Sequence, residues 1–176
     1  MRIRPETPSD EPAVQEVVRA AFGGDQVPGL VTALRESVAW LGLSFVAEQD
    51  AEVVGHVSYT RAWVDAPDRV VDVLVLSPVS VRPDRQRQGI GSALVTGTLE
   101  LMRTRDEPLV FLEGDPGYYV RLGFEPAGPW GFTAPSVRIP ERAFQAVRLP
   151  SYDDTLTGAL VYPDVFWRHD CVGLRP

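Results

Sequence analysis

Gly89 and Gly91 stand one residue apart in "RPDRQRQGIGSALV", residues 82–95, with Arg82, Arg85 and Arg87 just before them. The stretch leaves a β-like segment, "VVDVLVLSPVSV", and enters a helix-like one. The first backbone N–H groups of a helix have no partner inside it, and its dipole favours negative charge there. Glycines remove side chains where a ligand would have to touch the backbone. Together these features fit a polyanion such as a pyrophosphate. The plainer reading is a tight strand-to-helix turn with solvated arginines. A P-loop does not fit, because it ends in Gly-Lys-Ser/Thr and the chain has no lysine. A dinucleotide fingerprint would need a third glycine or alanine where Leu94 stands, and its glycines would follow the strand directly.

Other residues able to do chemistry are few. His56 lies in "VGHVSY", an apolar strand pattern in which a lone histidine reads as a hydrogen-bonded core residue before it reads as a base. Glu113 and Asp115 end the segment "LVFLEGD". His169 and Cys171, in "RHDC", fall short of a tetrahedral ligand set, so no metal is expected. There is no G-x-S-x-G elbow, and Cys171 has no plausible activating partner.

These residues must be positioned by strands interleaved with helices. "MRIRP" alternates as a strand would. "PSDEPAVQEVVRAAF" has Val14, Val17, Val18 and Ala21 at helical spacing, with Ser9 or Asp10 as cap. "GLVTALRESVAW" reads as a second helix, and "LSFVAEQDAEVVGHVSYTRAWV" as a hairpin turning near Asp50. Pro78 cannot donate to a ladder, so the strand over Val70 to Val81 needs an edge, a bulge or a splay there. A helix follows from about Gly89, then the strand "LVFLEG" and the short helix of "DPGYYVRLGF". "FQAVRL" and "TGALVYP" read as later strands between proline-rich loops.

The segment "QRQGIG", Gln86 to Gly91, resembles the Q/R-x-x-G-x-G/A motif of the GNAT superfamily of acyl-CoA-dependent N-acetyltransferases. Independently, "YYVRLGF" resembles that family's LYxxLGF segment, with Tyr119 four residues before Gly123. "GLVTALRES", "FVAEQDAEVVGHVSY", "LEGDPGYYVRLGF", "IPERAFQAVRL" and "GALVYPDVF" extend the likeness to the YhbS-like subgroup over nearly the whole chain. One departure is the missing asparagine before the tyrosine, where "GDPG" stands instead.

The resemblance implies an α/β (α+β) fold: a mixed, twisted central sheet flanked by helices, its fourth and fifth strands splayed around the acyl donor. It implies that Val79, Ser80 and Val81 bond the pantetheine of acetyl-CoA. Gln86, Arg87, Gln88, Gly89, Ile90, Gly91 and Ser92 would hold the pyrophosphate, with the arginines near the phosphates. Tyr119 would meet the cofactor and act as the acid that protonates the leaving thiolate, while Tyr118 packs. Glu113 becomes the candidate general base, with Asp115, His56 and a water chain as alternatives. The implied reaction is direct attack of a primary amine on acetyl-CoA in a ternary complex, without a covalent acyl-enzyme. A non-catalytic acyl-CoA sensor on the same fold, and a nucleotide-binding regulator using the same loop, stay open.

Composition sets the frame. The 176 residues suit one domain, 1–176, with 44% hydrophobic and 23% charged residues. A formal net charge of −7 argues against general nucleic-acid binding. No apolar run reaches the ~18 residues of a membrane span. The N-terminus lacks a signal-peptide pattern, and a single cysteine points to a reducing cytoplasm. The segment from Trp130 onward is expected to shape the acceptor cleft or a homodimer interface.

Overall fold

The computed structural model describes residues 1–174. Its strands are β1 (Arg2–Pro5), β2 (Trp40–Gln49), β3 (Glu52–Asp65), β4 (Val70–Val81), β5 (Leu109–Glu113), β6 (Glu125–Pro126), β7 (Phe132–Thr133), β8 (Phe144–Arg148) and β9 (Gly158–Val161). They follow the order β1-β2-β3-β4-β5-β8-β6, with β9 pairing β3 and β7 pairing β9. The described pairs are antiparallel except β4–β5 and β7–β9. The mixed sheet expected from the sequence is therefore present. The chain divides into two compact units, Met1–Thr60 with Leu76–Leu101, and Arg61–Val75 with Met102–Pro176.

The first unit carries β1 (Arg2–Pro5), α1 (Glu11–Phe22), α2 (Gln26–Arg35) and β2 (Trp40–Gln49). It also holds the first part of β3 (Glu52–Asp65), the end of β4 (Val70–Val81) and nearly all of α3 (Ile90–Met102). The β2–β3 hairpin turns through Asp50 and Ala51, both at positive φ, as a two-residue hairpin loop requires. The strand period of two separates the faces of β3. Gly55 and Tyr59 face α3. A side chain at Gly55 would crowd Leu94 and Ile90, and the Tyr59 hydroxyl lies 2.8 Å from Thr98. Val14, Val18, Val31 and Val46 join α1, α2 and β2 in one apolar cluster.

Two local expectations change. Asp10 precedes α1 but does not cap it. Its carboxylate accepts from the Thr7 backbone and hydroxyl and pairs with Arg4 at 2.6 Å, which holds it below the usual carboxylate range. The second helix begins earlier than "GLVTALRESVAW" suggested and ends at Arg35. The Ser37 hydroxyl donates to the Leu34 carbonyl there, and Trp40 belongs to β2.

The second unit carries the remainder of β3 and β4, with β5 (Leu109–Glu113), α4 (Pro116–Tyr119) and β6 (Glu125–Pro126). β7 (Phe132–Thr133), β8 (Phe144–Arg148), β9 (Gly158–Val161) and α5 (Asp164–Arg168) complete it. β6, β7 and α5 are too short to show a period in sequence. β5 pairs with β8 over five residues but with β4 only at Leu74↔Val110 and Val75↔Phe111. Phe111 stacks on Phe144 at 5.5 Å and meets Phe132 edge-on at 5.2 Å, which centres this unit's core. Pro78 lies past the last β4 residue paired with β5 and follows a cis peptide from Ser77. The Ser77 carbonyl accepts the Ser58 hydroxyl at 2.8 Å.

Candidate functional site

The glycine loop lies wholly in the first unit. After β4 the chain makes a 3-10 turn at Pro83–Arg85, and Gln86 to Gly89 are exposed. Arg87 has φ +60° and Gly89 +83°, flanking Gln88. Such alternation of backbone hand turns neighbouring N–H groups to one side, making an anion-binding concavity. A Cβ at Gly89 would meet nothing within 4 Å, so the backbone conformation, not crowding, selects glycine there. The first bond of α3 runs from the Ala93 N–H to the Gly89 carbonyl at 2.9 Å. The amides of Ile90 and Gly91 thus stand ahead of the helical ladder. Ile90 is buried, while Gly91 and Ser92 are partly exposed. The Gln86 side chain donates to the Val81 carbonyl at 3.1 Å and ties the loop to the end of β4.

The arginines divide. Arg82 donates from two nitrogens to Asp84, at 3.0 and 2.9 Å, and to Glu52 at 2.9 Å. Asp84 above all raises its pKa, so its charge is already answered within the protein. Arg85 approaches the same aspartate at 3.6 Å, and Arg87 is exposed at the turn itself. Asp84, which the sequence reading did not weigh, therefore removes Arg82 from the group of arginines available to an anion. Of the β4 residues, Val79 and Val81 are partly exposed. Ser80 is 2% exposed, and its hydroxyl has no partner among the described residues.

The tyrosine corner lies wholly in the second unit. Asp115 is the N-cap of α4, accepting from the Gly117 N–H at 2.9 Å, and Pro116 follows at the first helical position. This cap occupies a carboxylate the sequence offered as a possible base. Gly123, at φ +91°, ends the short 3-10 continuation. The Tyr119 ring packs edge-on against Tyr118 at 4.9 Å and Phe124 at 5.7 Å. Its third contact is Gly114, where a Cβ would overlap the ring, 2.6 Å from Cδ2. Burial raises the Tyr119 pKa, helped by Tyr118, so the phenol is protonated at neutral pH.

Glu113 sits at the end of β5. Its Oε2 accepts the Gly173 N–H at 3.0 Å, and the Tyr162 hydroxyl also bonds it. Burial raises its pKa, and these bonds only partly oppose the shift. Sequence reasoning found neither Tyr162 nor Gly173, since only the folded tail brings them to Glu113. Cys171, in the same tail, has its thiol pushed up to about 11 by burial and by Asp170 and Glu113. A thiol in that state is a poor nucleophile at neutral pH.

His56 belongs to the first unit and is fully buried. Its Nε2 lies 2.9 Å from the Ser44 hydroxyl, which bonds Glu6, and Glu6 in turn pairs with Arg35. Glu6 also stands 3.5 Å from the same Nε2. The trio carries the residue types of a hydrolase triad but not its wiring, because the carboxylate and the hydroxyl share one ring nitrogen. Burial lowers the His56 pKa despite Glu6. It is a neutral core histidine.

A strand–glycine loop–helix unit, a capped tyrosine helix and a mixed sheet of this order define an acyltransferase architecture. The acetyltransferase (GNAT) domain model matches residues 2–127. YjhQ of Escherichia coli K12, named an uncharacterized N-acetyltransferase, is 35% identical over 155 residues, 85% of each chain. YhbS of the same strain, likewise named, is 34% identical over 161 residues, 90% of this chain and 92% of its own. The crystal structure of E. coli YhbS in complex with CoA superposes with a TM-score of 0.84 at 30% identity, over 95% of this chain and 92% of that one. A GNAT acetyltransferase from Brucella melitensis in complex with acetyl-CoA gives 0.76 at 30% identity, over 94% and 97%. The chain belongs to the GNAT family of N-acetyltransferases, and within it to the YhbS-like subgroup.

Proposed function

We propose that the chain, acting as one catalytic domain, transfers the acetyl group of acetyl-CoA to a primary amine by direct attack in a ternary complex. The observation that carries this reading is the Arg87–Gly91 loop. Positive φ at Arg87 and Gly89, just before α3, is the backbone pattern of an anion-binding nest, and two relatives were solved with CoA or acetyl-CoA. In this reading Gln86 to Ser92 hold the pyrophosphate, with Arg87 the arginine best placed to add charge. Val79, Ser80 and Val81 bond the pantetheine amides.

The neutral amine attacks the thioester carbon. A β4 backbone N–H steadies the oxyanion. The C–S bond breaks and the thiolate leaves. A thiol of ordinary pKa about 8.5 is a fair leaving group, and a hydrogen bond from a protonated phenol improves it. Tyr119 supplies that phenol; with its pKa raised by burial it is protonated when sulfur begins to carry charge, and it acts as a hydrogen-bond donor to the leaving sulfur. Glu113 takes the proton released by the amine. Burial moves it toward the range where a base works at neutral pH. The suppressed thiolate of Cys171 supports direct attack over a covalent acyl-enzyme.

Two measurements test the reading. Calorimetry is expected to show CoA binding more tightly than dephosphorylated pantetheine, and equal affinities would overturn the role of the loop. Release of free thiol from acetyl-CoA is then followed over polyamines, aminoglycosides, lysine peptides and free peptide N-termini. Tight CoA binding without release above the amine-free rate, for every amine, would make the protein an acyl-CoA sensor.

A further inference from the structure

Gln145 is completely buried on β8. Its Nε2 donates to the Gly114 carbonyl at 3.1 Å, while its Oε1 has no hydrogen-bond partner among the described residues. The orientation of the amide is fixed by its partner, because a carbonyl can only accept. A buried amide satisfied at one end is a costly way to fill a core, and an apolar side chain of the same shape would avoid that cost. What such a chain could not do is hold the Gly114 peptide.

That peptide matters because of what rests on it. Gly114 joins β5 to α4, and its N–H donates to the Ala143 carbonyl at 3.0 Å. Both polar groups of Gly114 are therefore gripped from the β8 side, one by backbone and one by Gln145. The bare Cα between them carries the Tyr119 ring, and Phe124 packs against the same ring. A shift in the Gly114 carbonyl moves the surface under the phenol.

We infer that Gln145 is a positioning residue for Tyr119: by holding the Gly114 carbonyl it fixes where the phenol stands. The inference rests on Tyr119 being the acid for the leaving thiolate. Misplacing a reacting group by about 1 Å can cost on the order of 10²-fold in rate. Gln145→Met keeps length and volume while removing the donor. It is expected to lower kcat roughly 10- to 100-fold and to leave the KM for acetyl-CoA within about twofold. In a Tyr119→Phe background the same change should have no further effect. Gly114→Ala, which drives a methyl into the ring, should reproduce the loss and serves if Gln145→Met does not fold.

The kinetic readout uses acetyl-CoA with whichever amine of the panel is accepted. Full kcat in Gln145→Met while Tyr119→Phe is impaired overturns the inference. So does an equal loss from Gln145→Met in both backgrounds, which would mean a general structural role. If Tyr119→Phe retains full kcat, or no amine is accepted, the acid assignment loses its support and crystallography decides the positioning claim by itself. A Tyr119 ring displaced in Gln145→Met upholds it, and an unmoved ring overturns it.

Discussion

Tyr119 is held by aromatic edges on two sides and a bare backbone on the third, so its ring is fixed whether or not its hydroxyl has a partner. Removing only the hydroxyl tests chemistry without disturbing packing. General acid catalysis typically contributes ~10²–10⁴-fold, so Tyr119→Phe is expected to lower kcat by roughly two orders of magnitude or more. Acetyl-CoA affinity and melting temperature should change little. A fall of several degrees in Tm would instead identify a buried structural hydrogen bond. Glu113 makes a separate prediction about pH. Its pKa is raised above the ordinary 4.5, and a base works only when ionised. The kcat/KM profile should therefore lose activity as pH falls through a value above 4.5, and Glu113→Gln should remove that limb. A limb that persists in the variant assigns the titration to another group.

At the scale of elements, the loop between β4 and α3, proposed to hold the pyrophosphate, is expected to separate binding from folding. Gly91 is the second residue of α3, next to the amides that precede its ladder. Gly91→Val should abolish CoA binding by calorimetry while the far-ultraviolet circular dichroism stays unchanged. Normal binding would reduce the loop to a turn. This loop was legible in the sequence because its signals are contiguous: a strand pattern, two glycines and a helical period that follow one another along the chain. The same holds for the β2–β3 hairpin near Asp50 and for the capped helix bearing Tyr119. What escaped is long-range. Gln145 meets Gly114 across 31 positions, and Gly173 meets Glu113 across 60. One signal for Gln145 was available, a polar residue inside the otherwise apolar run "FQAV". The claim of Asp84 on Arg82 was local but depended on side-chain direction, which charge counting does not give.

For the molecule as a whole, several buried or paired groups bind fewer protons folded than unfolded, His56, Asp10 and Glu6 among them. Burial lowers His56 from 6.5. Hydrogen bonds from Arg4 lower Asp10 from 3.8. For Glu6 burial acts upward, but bonds from His56 and Ser44 outweigh it and bring the group below 4.5. Each contributes stability that is complete above its ordinary value and is lost as pH falls through its folded one. Glu113, raised above 4.5, acts in the opposite sense. The melting temperature is therefore expected to fall as pH drops from about 7 to about 4, with the first decline set by His56. A flat profile over that range would show that the buried His56–Ser44–Glu6 cluster is not held as described. Saturating CoA should stabilise the fold by mass action, by about 2.7 kcal/mol at a hundredfold excess over Kd, and so raise the melting temperature.

The Tyr119 ring occupies the place where any other residue at 114 would carry its first side-chain carbon. Descent with modification therefore meets Gly114 and Tyr119 as a linked pair. A lineage that accepts alanine at 114 loses the seat of the ring, and a tyrosine regained later at 119 finds its old place filled. A lineage that gives up the tyrosine first frees 114 to drift, and each side chain gained there makes return harder. The order of events then decides reversibility. In a library randomised at both positions and selected for activity, tyrosine at 119 should be recovered almost only with glycine at 114.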